Sequence, residues 1–184
     1  MSSKNENRAL QKSKGKAIKG LKAYIKALEL GEGYRVSKQK YRYEIAEDGS
    51  TARVLTAGDG VTVEGTERPL AEWAKIGTEA RHALIGLRFT KDKLDRQGAR
   101  VLYTLNVITQ EANITQRGDL VEDQPTTIAE WAKLGKTIEQ REFESKRAAE
   151  DYNNADAVQT VIDNMVRWGI IRTPPKDTAS ETAD

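Results

Sequence analysis

The sequence predicts an α+β fold: a small antiparallel sheet (a three-strand meander plus one later strand) with helices that include two duplicated Trp-bearing helices. Three observations lead there. Pro69-Leu70-Ala71-Glu72-Trp73-Ala74-Lys75-Ile76-Gly77 returns 58 residues on, from 73 to 131, as Thr127-Ile128-Ala129-Glu130-Trp131-Ala132-Lys133-Leu134-Gly135. Across positions 63–77, eight of fifteen residues are identical to their counterparts, and the apolar differences Leu70/Ile128 and Ile76/Leu134 conserve volume. Residues 34–63 alternate apolar and polar positions between turn signals, whereas much of the remainder spaces its apolar residues three and four apart.

The elements follow in order. Residues 1 to about 14 are polar and expected to be loose. From Ala9 to Leu30 the residues Leu10, Ala17, Leu21, Tyr24 and Leu28 fall at helical spacing, with Lys12, Lys16, Lys19, Lys22 and Lys26 on the opposite side. This is an amphipathic basic helix. Gly15 and Gly20 each cost about 1 kcal/mol against Ala in a helix interior, so its first half is expected to order only on a partner. Gly31 and Gly33 end it. Tyr34–Ile45 has strand alternation, Glu47-Asp48-Gly49 is a turn, and Thr51–Ala57 is a second strand. Asp59-Gly60 is a hairpin signal before a third strand, Val61-Thr62-Val63.

The first repeat helix spans about 69–88, with Leu70, Trp73, Gly77, Ala80, Leu84 and Leu87 on one face. Small Gly77 and Ala80 would admit another backbone. Thr90–Gln97 reads as a short separate helix closed by Gly98, and Val101–Thr109 as a strand, with a buried helix as the alternative. Residues 110–126 read as a polar connection. Thr127 and Glu130 have capping-box spacing at the start of the second repeat helix. Its apolar face fails after Ile138, where Glu142 and Ser145 take core positions. Asn153 or Asn154 then caps a last helix whose core side is Val158, Val161, Ile162, Met165 and Trp168, stopped by Gly169. Pro174-Pro175 opens an acidic tail expected to be disordered. The predicted organisation is a basic arm and helix at 1–33, the sheet with the first Trp helix at 34–110, the second Trp helix and C-terminal helix at 111–172, and the tail at 173–184.

Charge is distributed unevenly. Residues 1–28 hold Lys4, Arg8, Lys12, Lys14, Lys16, Lys19, Lys22 and Lys26 against Glu6 alone, although the whole chain is only +2. A lysine-lined helix can follow a phosphate backbone and release counterions, and Lys in preference to Arg favours contact without base reading. Attachment to an anionic membrane surface, docking on an acidic protein and a merely solvated face are the alternatives. Tyr34, Tyr41 and Tyr43 interleave with Arg35, Lys38, Lys40 and Arg42, a pattern that suits base stacking, or else sheet packing for Tyr41 and Tyr43. With no cysteine, His82 as the one histidine and no Gly-rich phosphate loop, nothing predicts an enzyme, a metal site, a cofactor or a small-molecule substrate. No run is apolar enough to span a bilayer, and no leader-like apolar segment follows the N-terminal charge. Arg117-Gly118-Asp119 matches a cell-adhesion tripeptide by chance.

Val61-Thr62-Val63-Glu64-Gly65 followed by Leu70-x-Glu72-Trp73-Ala74 resembles short helix-turn-helix repeats of phage and homing-endonuclease-associated proteins. The likeness covers residues 61–77 and 119–135. In that family a β-like lead-in with Gly precedes a Leu/Ile-x-Glu-Trp-Ala helix, then a Gly turn and a second helix ending in Arg. The resemblance implies a DNA-binding protein of phage or mobile-element type, with Arg81, Arg88 and Arg141 as contact candidates. The bland alternative makes Trp73, Trp131 and Trp168 structural anchors.

The expected function is non-enzymatic binding of nucleic acid, DNA ahead of RNA, in the host cytoplasm or the virion. Its expected contacts are Lys12, Lys16, Lys19, Lys22, Lys26, Arg35, Lys38, Lys40, Arg42, Arg81 and Arg88. The competing expectation is a virion or assembly protein, a homo-oligomer joined through its N-terminal helix and small-residue helix faces.

Overall fold

In the computed structural model, which describes residues 4–30 and 39–169, the duplication around the two tryptophans extends to a whole module. Helix α1 (Lys4–Leu30) is followed by strands β1 (Tyr41–Ile45), β2 (Thr51–Thr56) and β3 (Arg68–Pro69), then helix α2 (Leu70–Arg96). Strands β4 (Leu102–Asn106), β5 (Glu111–Gln116) and β6 (Asp119–Leu120) and helix α3 (Ile128–Arg167) repeat the pattern. The strands form two antiparallel sheets, β1-β2-β3 and β4-β5-β6. The α+β class is as the sequence predicts.

The two sheets share their construction residue by residue. Tyr43 opposes Val54 and Ile45 opposes Ala52 in the first hairpin, as Tyr103 opposes Ile114 and Leu105 opposes Ala112 in the second. Glu44 faces Arg53, which donates to its carboxylate at 2.7 Å, and the matching pair Thr104 and Asn113 is hydrogen-bonded at 2.8 Å. The loop after each central strand also returns to the same place. Thr66 Oγ1 accepts from Val54 N (3.1 Å) and donates to Val63 O (2.7 Å). Gln124 Oε1 accepts from Ile114 N (2.5 Å), and its Nε2 donates to Ile114 O and Val121 O. In both modules a side chain supplies the partners that a full third strand would give, so the central strand's polar groups stay satisfied.

Each repeat tryptophan joins its sheet to its helix. Trp73 is fully buried and its Nε1 donates to Ala52 O at 3.0 Å; Trp131 is 1% exposed and donates to Ala112 O at 2.8 Å. Their apolar bodies fill two cores. Ala17, Leu21, Ala52 and Val54 surround Trp73, while Ala83, Leu87, Val101, Ala112, Ile114 and Ile128 pack with Trp131. Tyr24 meets Trp73 edge to face at 5.4 Å between centroids, and the Arg68 guanidinium lies 5.5 Å from the indole centre.

Successive helices cross backbone on backbone. A Cβ placed on Gly20 would lie 2.1 Å from Trp73 O, and one on Gly77 would lie 2.2 Å from Lys16 O. The second crossing has the same form: a Cβ on Gly86 would meet Trp131 O at 2.7 Å, and one on Gly135 would meet His82 O at 1.8 Å. Helix α2 takes part in both, first through Gly77 and then through Gly86. The segment Ala17-x-x-Gly20-Leu21-Lys22 in α1 therefore matches Ala83-x-x-Gly86-Leu87-Arg88 in α2. In α3 the place of Gly86, nine residues after the Trp-side glycine, falls to Glu144, with Arg141 for Ala83 and Ser145 for Leu87. The glycine seat on which α2 and α3 each receive or offer a crossing is therefore absent from this part of α3.

Several sequence expectations are corrected. Helix α1 starts at Lys4, so residues 4–14 are helical instead of loose. Tyr34 to Ser37, Arg35 included, and Lys38 lie outside the described residues, and β1 begins at Tyr41. The third strand is Arg68–Pro69; Val61-Thr62-Val63 contributes an isolated Leu55–Thr62 bridge. Helix α2 passes through Arg88 without a break, absorbing the short helix expected at 90–97. The "polar connection" at 110–126 carries β5 and β6, so the later strand belongs to a second complete sheet. The expected boundary at 110/111 falls within the β4–β5 hairpin. Arg117-Gly118, both at positive φ (54° and 91°), form the β5–β6 turn.

The chain divides into a unit of Met1–Glu139, which holds both modules, and a unit of Gln140–Asp184. In the second unit α3 runs through Asn153-Asn154 without a new cap. Val158, Val161 and Ile162 are exposed there, and so is Trp168 at 70%, which corrects the expectation that it anchors a core.

Gly77→Ala or Gly135→Ala forces two backbones apart and is expected to destabilise by about 1–3 kcal/mol or more. Gly15→Ala, with open space around its Cβ, is expected to stabilise by up to about 1 kcal/mol. Urea unfolding of the three variants checks the contrast. Trp131→Phe, which leaves Ala112 O without its buried donor, is expected to cost about 1–3 kcal/mol in the same assay.

Candidate nucleic-acid interface

The lysines of α1 take their positions from the crossing at Gly20. Because the apolar residues Ala17, Leu21 and Ala27 face inward, Lys12, Lys16, Lys19, Lys22 and Lys26 are left on the outer side, and all five are exposed. Among the described residues, none of them forms an ion pair. They divide between two grooves of the Met1–Glu139 unit.

The first groove, of about 700 Å³, lies where the N-terminal half of α1 faces the opening turns of α2 and α3. Its floor is alanine: Ala71 and Ala74 from α2, Ala129 and Ala132 from α3. Lys12 and Lys16 stand on one wall, with Lys75, Lys133 and Lys136 on the others. Lys75 and Lys133 occupy the same position in the two modules, so the repeat itself places a cation twice at this groove. Glu79 and His82 also line it, so five ammonium groups face one carboxylate.

The second groove, about 660 Å³, lies between the C-terminal half of α1, α2 and β4. Lys19, Lys22, Lys26, Arg81 and Arg88 line it, and no carboxylate among the described residues does. Arg88 Nε donates a long hydrogen bond (3.4 Å) to Tyr103 Oη. Arg81 is not free: it forms a two-pronged ion pair with Glu139 of α3. That guanidinium, ahead of the smaller contribution of His82, holds the Glu139 carboxyl below the ordinary glutamate range. His82 Nε2 lies 3.2 Å from the same carboxylate, while its enclosed Nδ1 has no hydrogen-bond partner among the described residues.

The remaining expected contacts are scattered. Arg42 is exposed and borders a shallower groove with Lys22, Lys26 and the half-buried Tyr41 and Tyr43, whose rings pack on the first core. Lys40 lies 3.8 Å from Glu29. Arg35 and Lys38 are outside the described residues. Lys75, Lys133 and Lys136 are groove-lining cations that sequence reasoning missed. Both Ala-Lys steps stand in the repeated motif, and their shared register was the available signal. Neither Gly77 nor Gly135 is followed by a turn, since α2 and α3 continue straight through. Arg141 lies on α3 in the Gln140–Asp184 unit.

Among the described residues, no group of His, Cys, Asp and Glu is arranged to hold a metal ion, and no helix is long and apolar enough to cross a membrane. Comparison with protein-family models, with curated proteins and with solved structures finds no match to this chain.

The Arg81–Glu139 pair ties α2 to α3 at the surface. A depressed folded-state pKa means that its contribution is complete above the unfolded carboxyl's range and is lost as pH falls through the folded value. For so exposed a pair the effect is expected to stay within about 1 kcal/mol. Unfolding between neutral and acid pH, compared for the wild type and Arg81→Gln, is expected to show a shallower acid loss in the variant.

Proposed function

We propose that this chain binds nucleic acid without catalysing a reaction, DNA in preference to RNA, through the cationic grooves on either side of α1. The observation that carries the reading is the convergence of Lys12, Lys16, Lys75, Lys133 and Lys136, from three helices, on one groove containing a single carboxylate. Such a cluster is costly in self-repulsion unless a polyanion occupies it, and releasing condensed counterions supplies the affinity. The small alanine floor leaves room for a sugar-phosphate backbone to approach, and lysine heads on flexible stems suit contact without base selection. A phage or mobile-element setting rests on the resemblance of residues 61–77 and 119–135 to helix-turn-helix repeats; the contact surface proposed here is formed by helix flanks in place of a turn-presented recognition helix.

The second reading is an assembly protein. Gly77 and Ala80 are already covered by α1, so an oligomer would not use that face. What favours the reading is the exposed row Val158, Val161 and Ile162 on the second unit's helix, with exposed Trp168 just past its end.

Binding to a duplex is expected to weaken linearly in log–log terms with salt, at about −0.9 per phosphate engaged. Replacing Lys12, Lys16, Lys75 and Lys133 by Gln is expected to lower affinity and flatten that slope, measured by anisotropy of a labelled duplex. A salt-independent affinity, or none for any DNA or RNA, would sink the proposal.

A further inference from the structure

We propose that the second groove, between α1, α2 and β4, receives an unstacked base of a single-stranded nucleic acid, so that the chain prefers single strands to duplex. The inference rests on the nucleic-acid reading above. It arises from a chemical difference between the two grooves. The first offers ammonium groups over a floor of alanine methyls, which serves phosphates alone. The second has a comparable volume, about 660 Å³, within the range of sites that enclose small flat ligands. Its interior holds larger apolar groups, Leu84 and Leu105, beside the half-buried Tyr103 ring.

A duplex presents phosphate ridges to such a cavity and keeps its base faces stacked inside. The apolar interior would then gain nothing from contact. A single strand can turn one base outward, bury its flat face against leucine and tyrosine, and keep its phosphates at the rim. The rim is built for that arrangement. Lys19, Lys22 and Lys26 succeed one another along α1 with no ion-pair partner among the described residues. Arg88 is held against the Tyr103 hydroxyl on the opposite side. Cations therefore flank an apolar centre, and among the described residues no carboxylate lines it. An acidic amphipathic peptide shares this charge complement but not the flat π-face that fits beside Tyr103, so the nucleic acid is favoured.

The test is fluorescence anisotropy of the full chain with labelled oligothymidylate and with a duplex of equal length at one salt concentration. Single strand is expected to bind at least about tenfold more tightly, the ratio that one stacked base supplies. Tyr103→Leu, which keeps apolar volume but removes the ring, should bring the ratio toward one. So should Lys19→Glu, which puts a carboxylate on the exposed rim of this groove. Circular dichroism checks that each variant folds, and the exposed Lys19→Glu decides the matter if Tyr103→Leu does not. Equal affinity for the two forms overturns this inference while leaving the broader reading intact. No binding to either form overturns the broader reading itself. A preference that both folded variants retain places the base elsewhere and overturns the assignment. Displacement of oligothymidylate by an acidic amphipathic peptide at lower concentration would make a peptide the occupant.

Discussion

The architecture depends on backbone-to-backbone contact between consecutive helices, made at Gly20 with Gly77 and again at Gly86 with Gly135. Any side chain at these positions would hold the axes apart by the width of a methyl group or more. The tryptophans make the contact specific. The main-chain carbonyl of Trp73 is the surface on which Gly20 lies, while its indole N–H is fixed to Ala52 in the sheet. One residue thus sets the seat of the preceding helix and the seat of the sheet, and Trp131 does the same in the second module. Burying two large aromatics also supplies apolar area that short strands with many polar residues cannot.

The parts of this fold that were legible in the sequence were contiguous. Ala-Glu-Trp-Ala-Lys repeats without a gap, and helical spacing around it is unambiguous. The Thr127–Glu130 capping box was legible for the same reason: Glu130 Oε2 accepts from Thr127 N and Thr127 Oγ1 accepts from Glu130 N, both at 3.3 Å. The second sheet was hidden because Glu111–Gln116 turns only Ala112 and Ile114 inward, too weak an alternation to separate strand from loop. The loop anchors Thr66 and Gln124 do one job with unlike side chains, which identity matching cannot detect. The match of Ala17-x-x-Gly20-Leu21 to Ala83-x-x-Gly86-Leu87 was masked by its spacing of 66, which differs from the 58 of the Trp motif. Asn153 and Asn154 misled in the opposite direction: good capping residues, they sit inside a continuous exposed helix.

The candidate surface was half legible for a related reason. Periodicity placed the α1 lysines on one side, and they are exposed there. It could not reveal that the crossing at Gly20 sends Lys12 and Lys16 to one groove and Lys19, Lys22 and Lys26 to another. Nor could it show that Lys75 and Lys133, two residues after each repeat tryptophan, reach the same groove as Lys12. Arg81 illustrates the converse. Its residue type suggested a phosphate contact, but Glu139 claims its guanidinium, and tertiary pairing of that kind leaves no trace in local sequence.

Helix α2 belongs to both modules, its first half closing one sheet and its second half supporting the next. The two copies are therefore not beads on a string. A protease cut or a cloning junction at the midpoint of α2 would split a continuous rod and take Ala27 and Ala80 away from the core that Trp131 fills. The repeat is thus asymmetric in its dependence: the first module holds its own core, while the second borrows one wall from the helix that closes the first.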